Sequence, residues 1–522
     1  MRSLSTTLSN AQKNLSSDPI WKVVLSRTSQ TTKGYDNTRI IDIVPTEQPD
    51  SYKADIILYN DGSLTTLDFE HYQVVISYGY NTGATRSAWA VGTVYAIDDI
   101  RVPITANGYQ YRCSIAGTSH ASIEPTWPTD LGVTVTDGTV TWEMDGNSGE
   151  EYSRSAPLRV RVQELHSGMG ILKCILRCVG IPDQMKNDKA QAEYTQTSSD
   201  TNTVKTLISA VCAAGSGLNG AYNGHTVITV VYDSEDSLID TFIPADFFFI
   251  RVGENRWDKI EWLLGNTKCK ARIGNDGKLH ILVPVITGVT YDYQYEWDVA
   301  GEHTFWNKSI RLRFIEPNKV IVSSLPEQGT YTGSAPSAAS YALDPKPDRP
   351  IYQRLVSKAQ ATAIAEAMIE RYELDAERGF ATVPMNVGQE LWDYVKVTDS
   401  RQGDTKTGNI QFLQRNVEIH LNNKPLTWTM MLSFGKVTLQ SLLANIGVAG
   451  AATAGVLGGA RATTTADGRL TNQQILDLLD DVYNDAVDEA VRLFNAWIVS
   501  HHNSAVFKNL TATEQLIIPV WS

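Results

Sequence analysis

The residues of this chain best suited to chemistry are aromatic. Trp89, Tyr95, Tyr109, Tyr111, Trp127 and Trp142 fall within about sixty residues, in "AWAVGTVYAIDD", "NGYQYRCSIAGTS", "EPTWP" and "VTDGTVTWEMDG". Flat rings at this density can stack on sugar rings, whose faces are apolar and whose rims are polar. They can equally fill the core of a domain too small to build one from aliphatic side chains. Trp127, between two prolines, is the foremost platform for a glycan, with Tyr109, Trp89 and Trp142 as further candidates; Trp89, Tyr111 and Trp142 also suit a core.

Bond-making chemistry finds less support. The sequence has no phosphate-cradling glycine loop, no nucleophile elbow, no H-E-x-x-H and no Cys/His zinc cluster. "CILRC" places Cys174 and Cys178 four apart with no second ligand pair, and the other cysteines (Cys113, Cys212, Cys269) are scattered, so buried free thiols are expected. His501 and His502 are the only adjacent histidines and read as a tail or partner contact rather than a metal site. With 58 acidic residues, some carboxylate pair is always available for sugar hydrolysis, so the pairing carries no signal. No catalytic residue, metal or cofactor is expected.

The surroundings set the terms. The 522 residues allow several domains, and 42% hydrophobic with 20% charged residues is ordinary for globular protein. A formal charge of -13 opposes tight DNA binding, which depends on Lys and Arg neutralising phosphates. No secretory leader or membrane-spanning run is visible, so the chain reads as made in a cytoplasm.

Short alternating runs ("WKVVLSRT", "RIIDIVPT", "ADIILYN", "YQVVISYGY") separated by turn residues predict a β-barrel or sandwich, resumed at "APLRVRVQEL" and "GILKCILRCVG". The aromatic stretch between them reads as a β module inserted in a loop. Further on, Trp257, Ile260, Leu263 and Leu264 predict one face of a helix stopped at Gly265, followed by a hairpin. "SKAQATAIAEAMIERYELDAERG" predicts an amphipathic helix, after which strands return. "NIGVAGAATAGVLGGARATTTADG" reads as a connector. Beyond it Ile475, Leu479, Val482, Ala486, Ala490, Leu493 and Trp497 form a stripe suited to a self-associating helix, although a helix packed on its own domain shows the same stripe.

The run from Trp89 to Asp145 resembles the small carbohydrate-binding-like modules of bacteriophage tail and tail-fibre proteins, step by step through the "NGYQYRC" strand, the "AGTS" turn, the "EPTWP" loop and the "VTDGTVTW" hairpin. "RWDKIEWLLGNTKCKARIGNDGKLHIL" and "AIAEAMIERYELDAERGFATVPMNVGQELWDYVKVTDSRQGDTKTGNIQFLQRNVEI" are similar to the baseplate-hub or tail-tip proteins of long-tailed phages and gene transfer agents.

That resemblance implies a mainly β fold with α+β parts: two tudor-like β-barrels, the inserted module, α/β decorations and a C-terminal coiled-coil-like helix. The implied boundaries are 1–86 with 150–183 for the first barrel, 87–149 for the insert, 184–289 for an α+β domain, and 290–350 with 380–436 for the second barrel. A helix at 351–379, a connector at 437–470 and a trimerising helix and tail at 471–522 complete the expectation. It implies a structural virion protein at the tail tip, a homotrimeric hub that closes the tail tube, adapts sixfold to threefold symmetry and opens for genome ejection. Its implied partners are a distal tail protein, a tape-measure protein and fibre or other tail-tip proteins; the module's aromatics add a host surface glycan as a partner, and the acidic charge has genomic DNA passing unbound. The rival readings are a wall-degrading hydrolase carrying a sugar module and a receptor-binding tail fibre protein.

Overall fold

The computed structural model describes residues 1–435, apart from short breaks at 15, 169–170, 215–216, 298, 300–301, 311–314, 326–328, 378 and 421–423. The stripe from Ile475 to Trp497, the connector and the two adjacent histidines lie outside the described residues.

The fold is mainly β. Strands Asp18–Ser26, Lys33–Asp36, Ile40–Gln48, Ser51–Tyr59, Gln73–Asn81, Leu158–Gly168 and Ile171–Gly180 form the first group, and Glu150–Arg154 adds to the Gln73–Asn81 strand. Their alternation is visible in Ser51–Tyr59, where Tyr52, Ala54, Ile56 and Leu58 point inward and Asp55 and Tyr59 outward. The second group comprises Tyr293–Glu296, Asn307–Ile310, Gly379–Pro384, Tyr394–Asp399, Asp404–His420 and Lys424–Phe434.

The two groups are not two closed barrels. Among the described residues most of their strands follow one continuous path from an edge at Lys33–Asp36 to an edge at Asn307–Ile310, with Tyr394–Asp399 branching from Asp404–His420 and carrying Tyr293–Glu296. The physical reason lies at Ile40–Gln48, whose free edge takes the Asp404–His420 strand antiparallel, Ile43 opposite Val417 and Thr46 opposite Gln414. An edge spent on that ladder cannot close the first group on itself.

Side chains reinforce the seam. Trp428 from the second group packs against Trp21, Tyr78 and Tyr80 of the first, with ring centroids 5.6–6.1 Å apart, and its indole N–H donates to the Tyr80 hydroxyl at 2.8 Å. The fully buried Arg415 guanidinium pairs with Glu47 and donates to the Gln389 carbonyl at 2.6 Å. One apolar core runs through both groups.

Between them lies an α+β part. Helix Arg256–Leu264 starts at Asn255, whose side chain accepts from the Asp258 N–H at 2.8 Å, and buries Trp257, Ile260, Leu263 and Leu264. Gly265 ends it, and a Cβ there would lie 2.7 Å from Arg371 Nη1. Arg256 is wholly buried, and its guanidinium donates to the carbonyls of Val211, Cys212 and Thr226 and to Asp188, so no N–H is left unpaid for.

Residues 319–353 depart from the expectation that grouped 290–350 with the second barrel. Strands Lys319–Ser324, Thr332–Pro336 and Ile351–Gln353 form their own three-stranded sheet. Val320, Val322 and Ala335 share the α+β core with Ala361, Ile364 and Ala365 of the helix Lys358–Ala376. Their inward alternation is met by that helix, so they have no apolar face left for the second strand group.

Candidate functional site

The aromatic stretch forms a four-stranded antiparallel sheet in the order Thr134–Asp137, Val140–Asn147, Tyr109–Ile115, Ile100–Arg101, with its own small core. Its hairpin turns at Gly138 and Thr139, and Gly138 has φ +63° at the position a type II′ hairpin reserves for glycine. Any side chain at Gly138 would also meet the Thr118 carbonyl at 2.4 Å.

Two of the four candidate glycan residues are core. Trp142 is fully buried and Trp89 is 3% exposed, and both indole N–H groups donate to Asp137 Oδ2, at 3.1 and 2.7 Å. Neither ring has a face free for a sugar. Asp137, which the sequence reading did not single out, is what lets two tryptophans be buried together, since each needs an acceptor.

Trp127 is half-buried. One face lies on Tyr111, with centroids 4.3 Å apart, and its N–H donates to Glu124 at 2.8 Å. Tyr111 is buried, its hydroxyl held between the Asn107 side chain and the Pro128 carbonyl, so it serves as the base on which Trp127 rests. Burial raises the Tyr111 pKa accordingly.

Tyr109 is half-buried as well and lines a cleft of about 480 Å³ between the module and the first strand group. Lys33, Asp36, Asn37, Asp130 and Asn147 line the same cleft. These are the donor and acceptor types that bind sugar hydroxyls. Nothing in the sequence links Lys33 to Asn147, since only the fold brings the Lys33–Asp36 edge strand beside the module.

The module is joined to the strands through a buried ionic cluster. Lys22 Nζ lies 2.8 Å from Asp145 Oδ1 and 3.8 Å from the centre of the Tyr152 ring. Arg112 reaches Asp145 at 3.3 Å, Glu143 at 2.6 Å and Asp98 at 2.9 Å, and Arg154 reaches Glu143 at 3.0 Å. Burial acts to raise the Asp145 pKa, but Lys22 and Arg112 outweigh it and hold the carboxyl well below the usual range. Burial alone also disfavours the Lys22 charge; facing a carboxylate kept ionised by two cations, the pair is ionised.

All five cysteines are buried free thiols. Among the described residues no group of three or more His, Cys, Asp or Glu is placed to hold a metal ion, and no helix is long and apolar enough to cross a membrane.

No family model and no curated protein matches the sequence. Solved structures that are similar include tail proteins. The tail protein from Neisseria meningitidis MC58 aligns with a TM-score of 0.46 at 9% identity, over 80% of this chain and 96% of that one. Prophage tail protein gp18 from Listeria monocytogenes EGD-e aligns with a TM-score of 0.44 at 10% identity, over 82% and 98%. The 43 kDa tail protein of prophage MuSo2 from Shewanella oneidensis gives 0.42 at 12%, over 80% and 98%. At these values the likeness is one of chain path and carries no residue correspondence.

Proposed function

We propose that this chain is a structural protein of a phage tail tip, a hub that assembles as a homotrimer, closes the tail tube and opens for genome ejection. The observation that carries the reading is the ladder between Ile40–Gln48 and Asp404–His420, which makes two β groups of one chain neighbours in a continuous sheet. Three such chains supply six β groups, the number a sixfold tube presents, while keeping threefold symmetry. The motif resemblance in the module and in the stretches 256–282 and 363–419 supports the same reading. The net charge of -13 suits a wall past which DNA slides without binding. The distal tail protein above, the tape-measure end within and fibre proteins beside it are the partners this placement requires.

The module contacts a host surface glycan through the outer face of Trp127 and the polar cleft at Tyr109. Light scattering of the full chain tests the assembly: a mass three times the 57.6 kDa of one chain is expected, and a stable dimer or hexamer contradicts it.

A further inference from the structure

A groove of about 960 Å³ runs between the first strand group and the α+β part. From the strands it is lined by Arg27, just after Asp18–Ser26, and by Arg159 and Arg161 of Leu158–Gly168. Helix Ile181–Asn187 and residues 226–228 line it from the α+β part and bring Ile181, Val227 and Ile228 to its wall.

Four arginines and only two acids line the groove among the described residues, and both acids are engaged. Asp188 lies on the buried Arg256 at 2.8 Å and on His225 at 3.2 Å. Asp276 lies on Lys278 at 3.0 Å and on His280 at 3.1 Å. The side chains of Arg159, half-buried, and Arg161, exposed, have no hydrogen-bond or ion-pair partner among the described residues. Arg27 donates only to the Glu70 carbonyl at 3.4 Å, with the centre of the Tyr72 ring 6.0 Å from its guanidinium. Three guanidiniums therefore line one groove without a carboxylate, on a chain whose formal charge is -13.

The backbone holds two of them there by an irregularity. Val160 pairs with Cys178 and Val162 with Arg177, so Arg161 is the extra residue of a β-bulge, left out of the ladder and free to be aimed elsewhere. Beside it His71 takes φ +66°, and its N–H donates to the Val160 carbonyl at 3.0 Å.

We propose that this groove docks an acidic segment of a partner protein, its carboxylates on Arg159, Arg161 and Arg27 and its aliphatic side chains on Ile181, Val227 and Ile228. The guanidinium fork matches a carboxylate with two parallel hydrogen bonds. No Trp, Tyr or Phe lines the groove among the described residues, so it offers no ring on which a sugar or a nucleic-acid base could stack. The aliphatic wall has no counterpart on a bare polyanion. Every lining residue belongs to one chain, so the inference does not depend on the homotrimer.

The probe is a fluorescein-labelled peptide of alternating Glu and Leu, capped at both ends, followed by fluorescence anisotropy on the full chain. It should bind saturably and less tightly as salt rises, although the chain's net charge repels it. Putting Gln for its Glu, or Ser for its Leu, should each weaken binding at least tenfold. The double variant Arg159→Gln, Arg161→Gln should also weaken binding at least tenfold, whereas Arg349→Gln, exposed and outside the groove, should bind as wild type does. Arg27→Gln, from a different strand end, should act in the same direction and serves if the double variant does not fold. Absence of saturable binding, or unchanged binding in the folded groove variants, overturns the proposal. Single-stranded DNA or polygalacturonate binding as tightly as the peptide, with the same loss in those variants, would make the groove a general polyanion site and overturns it too.

Discussion

Lys22 Nζ and Asp145 Oδ1 lie 2.8 Å apart in a buried pair that spans the boundary between the first strand group and the inserted module. The two residues are 123 positions apart in the chain, and each is less than 5% exposed. The pair converts a loop insertion into a rigidly docked module, since neither charge can leave the other without being stranded in a low-dielectric site.

Asp145→Asn therefore strands both Lys22 and part of Arg112 and is expected to cost about 3–5 kcal/mol. A Lys22→Met, Asp145→Leu double variant, which removes both charges, should recover most of that loss. Urea unfolding followed by tryptophan fluorescence measures both, and equal losses in the single and double variants would count against the pair.

Asp137→Ala leaves the indole N–H groups of Trp89 and Trp142 buried without an acceptor. At about 1–3 kcal/mol for each unsatisfied donor, the module should unfold ahead of the rest of the chain. Limited proteolysis should then cut within 87–149 while the strand groups remain intact. Trp127→Ala exposes one face of Tyr111 but strands no donor, so it should leave the module folded and reduce adsorption of virions to host cells.

His303 is 2% exposed, its Nδ1 3.0 Å from the Tyr293 hydroxyl and its Nε2 without a partner among the described residues. Burial, then the Lys13 charge, lowers its pKa to about 3. The unfolded chain titrates this histidine near 6.5, so between about 6.5 and 3 the unfolded state binds the extra proton. Stability contributed by the neutral ring is complete above 6.5 and is lost as pH falls, by up to about 1.4 kcal/mol per unit. His303→Asn, which keeps an acceptor for Tyr293, should flatten the acid limb of a melting-temperature profile; an unchanged limb would assign it to other groups.

At the seam, Glu47→Ala leaves the Arg415 guanidinium buried with no carboxylate, keeping the Gln389 carbonyl and the Tyr78 ring 5.7 Å away. The expected loss is about 3–5 kcal/mol. Hydrogen exchange should show faster opening of Ile40–Gln48 and Asp404–His420 together, because they share one ladder.

What the sequence discloses is local. Trp257, Ile260, Leu263 and Leu264 recur at helical spacing and are the buried face of a helix, and Asp137-Gly138 marks a hairpin because only a glycine tolerates that turn. The candidate site was half legible for the same reason. Aromatic density located the module, but which rings face water depends on Asp137, which sits five residues from Trp142 yet 48 from Trp89. The cleft at Tyr109, the Lys22–Asp145 pair and the pairing of Ile43 with Val417 join residues far apart in the chain, and no periodicity records them. The barrels failed to close for that reason too: a strand's alternation reveals its faces, whereas its edges are chosen by tertiary pairing.

The central claim is a threefold ring at the end of a tail tube. Its most direct test is electron-microscopic averaging of isolated tails labelled with an antibody fragment against the 87–149 module. Three labels per tail, arranged with threefold symmetry at the tip, are expected; labels along the tube, six at the tip, or none on the tail would contradict the account.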